Sequence, residues 1–364
     1  MTLYLECLTF LIFFYYFFNL PQVQHVNPTL PIRFEDLPIA ASNVYRPETN
    51  ATFDFGKVYL INLDERHDRR DQLAIMTSLS GLQFERVPGF RLTSREQTFN
   101  GFPRYSPDDM PLSKLACYRA HANVWRAFLE DENQPATALI LEDDVDWDVN
   151  IKNIMSNFKA PLYALQRAIA NQSIDDYYPS WTSSQWDILR LGTCREPPHV
   201  KEFKRVDVNL QNVPYLLMND EGVPEREWIA VDHTMVFDTY GIPISSILEE
   251  EVESRRRIIQ LSNYPVCLHA YAITRIGAAK LLYLTSQGLI DGANDLTIAE
   301  ATQDGKLDSF SFTPPPFSQW KSQNNIGNSD NGGTNTDPLP DEDGPSSFSW
   351  NIRDSIRVEI SSIL

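Results

Sequence analysis

The residues with the clearest chemical potential are Glu142, Asp143 and Asp144, which follow the apolar run Leu139-Ile140-Leu141 and precede Val145. Adjacent carboxylates repel one another, so three in a row call for a compensating cation. Hard oxygen ligands suit Mg²⁺ or Mn²⁺, with a bound phosphate completing the coordination. The apolar run, with Thr137-Ala138 leading into it, reads as a buried strand. The acidic group therefore stands at a strand's carboxyl end, where open α/β sheets bind their ligands. A solvated acidic turn is the plainer reading of the same residues.

The elements around the triplet form a regular alternation. Lys57–Leu63 reads as a strand, Arg66–Leu79 as a helix stopped by Gly81, and Leu82–Val87 as a short strand. Ser113–Glu130 reads as a helix with Ser113 as N-cap. Its apolar face takes Cys117, Val124 and Phe128, with His121 and Trp125 alongside. Trp186–Leu191, closed by Gly192, and Val266–Ile273 read as further strands, and Arg275–Gln287 as a helix. This order predicts an α/β fold with a mostly parallel sheet flanked by helices. His121 beside Trp125 reads first as a hydrogen-bonded core histidine. Arg255-Arg256-Arg257, following the acidic run Glu249–Glu253, reads as a solvated mixed-charge helix.

The chain of 364 residues divides into five segments. Residues 1–20 are an apolar, signal-anchor-like stretch near spanning length, broken by Glu6 and without a basic leader, since no Lys or Arg precedes Arg33. Residues 21–55 are a Pro- and Asn-rich stem. Residues 56–321 form the globular unit, 322–347 an Asn/Gly/Ser/Asp-rich segment read as disordered, and 348–364 a C-terminal element. The net charge of −18 disfavours nucleic acid as a partner, because phosphate contacts need a basic surface. Cys194 and Cys267 flank predicted strands and are the candidate disulfide, leaving Cys117 as a packed free thiol. Asn50-Ala51-Thr52 and Asn171-Gln172-Ser173 are sequons for luminal glycosylation.

Four blocks in order resemble glycosyltransferase family 25, which includes procollagen galactosyltransferases and bacterial lipooligosaccharide glycosyltransferases. They are Val58–Arg69, like the family's "INL-D-x-R-x-x-R"; Ala116–His121 with Trp125, like its "GC-x-x-SH"; Leu141–Val145, like its "LEDD"; and Ala270–Leu282, like its "AY-x-I-S-x-x-GA-x-x-L". Ala116 and Ala120 depart from the family's usual Gly and Ser. The resemblance implies a GT-A-like, Rossmann-type fold and an inverting, metal-dependent transfer of a hexose, with galactose favoured, from a UDP-sugar to a protein or glycan hydroxyl. It implies Mn²⁺ or Mg²⁺ on Glu142 and Asp144. Asn62, Asp64, Arg66, Arg69 and Asp143 would then surround the nucleotide-sugar donor. Arg66 and Arg69 also allow a plainer role, as surface ion pairs with Asp64, Glu65, Asp68 and Asp71. Asp291 is the expected general base, with Asp295 in reserve and Asp232 as a third candidate. The expected setting is the ER or Golgi lumen, with residues 1–20 holding a single-pass type II protein in the membrane. Two alternatives stand beside this reading: a secretory binding protein that keeps the fold without turnover, and a metal-dependent phosphate-ester hydrolase, which would need a second carboxylate or histidine cluster.

Overall fold

The computed structural model describes residues 32–37, 39, 49–95, 97, 110–173, 179–183, 185–194, 213–225, 255–286, 293–322 and 347–363. Strands β1 (Ile32–Arg33), β2 (Lys57–Asn62), β3 (Glu85–Pro88) and β4 (Thr137–Glu142) come first, then the short β5 (Val145–Trp147). They are followed by β6 (Ile188–Gly192), β7 (Leu216–Asn219), β8 (Arg256–Leu261), β9 (Ala270–Thr274), β10 (Ser309–Thr313), β11 (Phe317–Ser322) and β12 (Ser347–Ser349). Helices are α1 (His67–Ser80), α2 (Leu112–Glu130), α3 (Ile151–Ser156), α4 (Lys159–Ile169), α5 (Arg275–Ser286), α6 (Asn294–Gln303) and α7 (Ile356–Ile363). A nine-stranded sheet runs β1-β7-β8-β10-β6-β9-β4-β2-β3, and β12-β11-β5 forms a second, three-stranded sheet.

The α/β, GT-A-like class stands, with helices flanking a large mixed sheet. The β2-α1-β3-α2-β4 unit is parallel, as its helical crossovers require. Farther along, β9 runs antiparallel to both β4 and β6. The continuous apolar runs of β2 and β4 fit a sheet buried on both faces. Val58, Leu60, Leu139 and Leu141 enter one core with Leu73, Leu162 and Trp147. Their neighbours Tyr59, Ile61, Ala138 and Ile140 enter the other with Trp125, Phe128 and Leu281.

Local signals explain most element ends. Gly81 closes α1 in the left-handed conformation (φ 59°), with the Leu82 N–H on the Thr77 carbonyl at 2.9 Å. Helix α2 starts at Leu112 after Pro111, so Ser113 lies inside the first turn and does not cap it. The strand expected over Val266–Ile273 is regular only over Ala270–Thr274, because Cys267 has a φ of 69° and bends the chain. Arg255–Arg257 do not form a helix. Arg256 and Arg257 open β8, and Arg257 is buried in an ion pair with Asp220 at 2.5 Å.

The Cys194–Cys267 disulfide is present, with Cα atoms 5.6 Å apart, and Cys117 is not disulfide-bonded. The C-terminal element holds both β12 and α7. Residues 1–20, Asp232, Glu249–Glu253 and Asp291 lie outside the described residues. Among the described residues no helix is long and apolar enough to cross a membrane.

Candidate active site

The parallel register of β2 and β4 sets Ile61 beside Glu142, so both strands end together and Asn62 falls next to Asp143. The Asn62 Nδ2 group donates to Asp143 Oδ2 at 2.8 Å. Its Oδ1 accepts from Arg86 Nε at 2.9 Å. Arg69, two residues into α1, is buried and forms a hydrogen-bonded ion pair with Asp143, and its Nη1 lies 3.6 Å from Asp144 Oδ2. Burial alone would lower the Arg69 pKa; the two carboxylates outweigh that and raise it. Asp143 moves upward, driven first by burial and then by the adjacent Asp144 charge, against the pull of Arg69 and Asn62.

Asp144 uses its two oxygens differently. Oδ2 accepts from Gln319 Nε2 at 2.9 Å, while Oδ1 is buried without a hydrogen-bond partner among the described residues. An acceptor left bare in a protein interior is costly, and a cation satisfies it.

Glu142 lies between two imidazoles, with His121 Nε2 at 3.1 Å and His269 Nδ1 at 3.4 Å. Burial would raise its pKa, but these two contacts prevail and hold the carboxyl well below the usual range. The hydrogen-bond chain behind His121 sets its tautomer. Trp125 Nε1–H donates to the Tyr271 hydroxyl at 2.8 Å, and that hydroxyl lies 2.9 Å from His121 Nδ1. Burial keeps the Tyr271 phenol protonated, its pKa well above the ordinary value. The phenol therefore donates to Nδ1, leaving the proton on Nε2 to face Glu142. His121 is thus a core histidine, as its helix face suggested, and also a direct support of the triplet.

His269 comes to the site because β9 runs antiparallel to β4. That pairing sets Ala270 beside Leu141, and the His269 carbonyl accepts the Glu142 N–H at 3.0 Å. Glu142, Asp144 and His269 offer ligand atoms within 4.8 Å of one another, a mixed oxygen and nitrogen donor set. Together with the bare Asp144 Oδ1, this set fits Mn²⁺ or Mg²⁺.

The remaining expected site residues make other contacts. Arg66 forms a two-point pair with Asp68, Nε at 2.9 Å and Nη2 at 2.8 Å, and exposed Asp64 pairs with Arg86. The Arg66–Asp68 pair is one the sequence allowed; the Asp64–Arg86 pair is not among those it suggested. Asp295 lies in the first turn of α6, where its Oδ2 accepts the Cys267 N–H at 3.0 Å, two residues before His269. Sequence reasoning missed His269, Gln319 and the Arg86 brace. His269 lies inside the strand expected over Val266–Ile273, but only the antiparallel pairing brings it to the acidic end. Nothing in the sequence around Gln319 signals its contact.

A sequence model described as glycosyltransferase family 25 (LPS biosynthesis protein) matches residues 55–296. Over 180 residues, 44% of the chain, the sequence is 24% identical to procollagen galactosyltransferase 2 of Homo sapiens, and the same figures hold for the Mus musculus protein. Over 170 residues, 41% of the chain, it is 22% identical to procollagen galactosyltransferase 1 of Danio rerio. The aligned parts make up 24%, 24% and 23% of those proteins, so the chain spans about a quarter of the length of the curated relatives it matches. The family match covers well over half of this sequence and includes β2, α1, β4 and the loop before β9, the parts that build the acidic site; the chain belongs to glycosyltransferase family 25.

Proposed function

We propose that this chain transfers a hexose, with galactose favoured, from a UDP-sugar to a hydroxyl of a protein or glycan, with a divalent metal and inversion at the anomeric carbon. The observations that carry the proposal are the cluster of Glu142, Asp144 and His269 at the carboxyl end of β4 and the buried Asp144 Oδ1, which has no hydrogen-bond partner among the described residues. Mn²⁺ or Mg²⁺ held there supplies positive charge to the leaving diphosphate. Galactose is favoured because the similar proteins are procollagen galactosyltransferases.

Each residue then has a defined task. Asp144 presents one oxygen and has the other held by Gln319. His121 keeps Glu142 ionised and aimed. Arg69 neutralises Asp143, so the triplet does not carry its full negative charge against an anionic donor. In the transfer the acceptor oxygen bonds to the anomeric carbon, and the bond from that carbon to the diphosphate breaks with its electrons leaving on UDP. The hydroxyl proton passes to a carboxylate, for which Asp291 is the first candidate and Asp295 the second. The Cys194–Cys267 disulfide supports an oxidising compartment such as the secretory lumen.

The test is a panel of UDP-sugars with Mn²⁺, assayed for UDP release by the full chain and by Asp144→Asn. Release from one donor, lost on chelation and in the variant, is the expected result. A donor that binds without turning over in the presence of varied hydroxyl acceptors would favour the binding-protein alternative. Release of inorganic phosphate from esters would favour the hydrolase.

A further inference from the structure

Asp144 is held by a part of the chain outside the family-matched stretch. Strand β11 lies at 317–322, beyond residue 296, and pairs antiparallel with β5, setting Gln319 opposite Val145. This register brings two β11 groups onto Asp144. The Trp320 N–H donates to the Asp144 carbonyl at 2.8 Å, and Gln319 Nε2 donates to Oδ2 at 2.9 Å. Arg69 approaches the same Oδ2 at 3.6 Å. Main chain and side chain are thus both fixed, and among the described residues both side-chain contacts, from Gln319 and Arg69, reach Oδ2. Oδ1 has no hydrogen-bond partner among the described residues.

We infer that Gln319 is a positioning residue of the site: it occupies Asp144 Oδ2 and so fixes the carboxylate rotation that presents Oδ1 to the divalent ion. The inference rests on the metal reading above and deepens it. A carboxylate free to rotate about its last torsion presents either oxygen, or bridges to Arg69 and withdraws from the ion. A neutral amide suits this work better than a cation. It donates to Oδ2 without adding a second positive charge to that of Arg69. Losing a hydrogen bond that orients a ligand typically weakens metal affinity about 10- to 100-fold. The fold itself makes smaller demands on Gln319, because β11 keeps its ladder with β5 whatever side chain stands there.

The experiment is calorimetric titration of Mn²⁺ into the full chain and four variants, with a thermal melt of each as a folding control. Gln319→Leu and Gln319→Met remove the donor at similar length. Gln319→His restores an N–H at similar reach. Asp144→Asn removes the ligand. The expected order is tight binding by the unsubstituted chain, a 10- to 100-fold loss in the Leu and Met variants, recovery in the His variant, and loss of measurable binding in Asp144→Asn. Equal affinity across all Gln319 variants overturns the inference while leaving the metal site intact. Weakening that His does not restore also overturns it, since packing and not the hydrogen bond would then be responsible. No binding by the unsubstituted chain, or undiminished binding by Asp144→Asn, overturns the metal reading, and the inference falls with it.

Discussion

At the scale of single residues, three neighbouring carboxylates have three environments. Glu142 is stabilised as an anion by two imidazoles, Asp143 is braced by Arg69 and Asn62, and Asp144 keeps one oxygen bare. Burial, and after it the Asp144 charge, push the Asp143 carboxyl up, so removing the neighbouring charge relieves part of that cost. Asp144→Asn should therefore leave the metal-free protein as stable as before, or raise its stability by up to about 1 kcal/mol, measured by thermal melts in chelator. A clear loss of stability would mean that Asp144 serves the fold. Asp68 behaves oppositely. Its hydrogen bond with Arg66 is the main cause of a pKa lowered to about 2 from the ordinary 3.8. That contribution is present above pH 3.8 and disappears as pH falls towards 2. The side chain is 62% exposed, so solvent screening keeps the contribution below about 1 kcal/mol. In urea titrations Asp68→Asn should be slightly less stable than the parent at pH 7, and the gap should close as pH falls from 4 towards 2. A gap that stays constant with pH would assign the effect to helix packing.

At the scale of elements, the loop before β9 brings His269 to the site and is fastened at three points. Arg190 donates to the carbonyls of Pro265 and Cys267 at 2.7 and 3.0 Å, Asp295 accepts the Cys267 N–H, and the disulfide ties Cys267 to Cys194. The bridged cysteines are 73 residues apart in sequence, and a closed loop of that length contributes at most about 4 kcal/mol in the chain-entropy account. Denaturant unfolding of the Cys194→Ser/Cys267→Ser protein should show a loss of that order or smaller; unchanged stability would contradict it. The close approach of α5 to Asp187, the residue before β6, admits no side chain at Gly277, where a Cβ would stand 2.1 Å from the Asp187 carbonyl oxygen. Gly277→Ala should cost about 1–3 kcal/mol in the same assay, although alanine favours helix. The strands β2 and β4 and the helices α1, α2 and α5 were legible from apolar periodicity and from Gly81. β5, β8 and β11 were not. Their sequences are short or charged, and their partners are distant in the chain. Arg257 illustrates the difficulty: three consecutive arginines read as solvated, yet Asp220 neutralises this one in the interior.

At the scale of the whole molecule, the C-terminal element closes the structure behind the acidic site. Arg357 of α7 donates to the Val145 carbonyl at 2.9 Å and to Gln72 of α1, and Ser355 donates to buried Asp146 at 2.6 Å. Burial pushes the Asp146 pKa up while the Arg357 charge pulls it down. Arg357→Met removes that charge and also takes the donor from the buried Val145 carbonyl, a change that costs about 1–3 kcal/mol where a buried group is left unsatisfied. Urea unfolding should show a loss of that size, partly recovered by adding Asp146→Asn; no recovery would place the effect in packing. The acidic triplet was readable because it sits at the end of one strong strand. His269, Gln319 and Arg357 were not, because each reaches the site through a sheet pairing or docking contact that local pattern does not encode. The most direct test of the account is anomalous diffraction from crystals of this chain grown with Mn²⁺ and UDP. The account predicts a manganese peak within bonding reach of Asp144 Oδ1, with the diphosphate of UDP on the same ion. Ordered UDP with no manganese at Asp144, or manganese bound elsewhere, would contradict it.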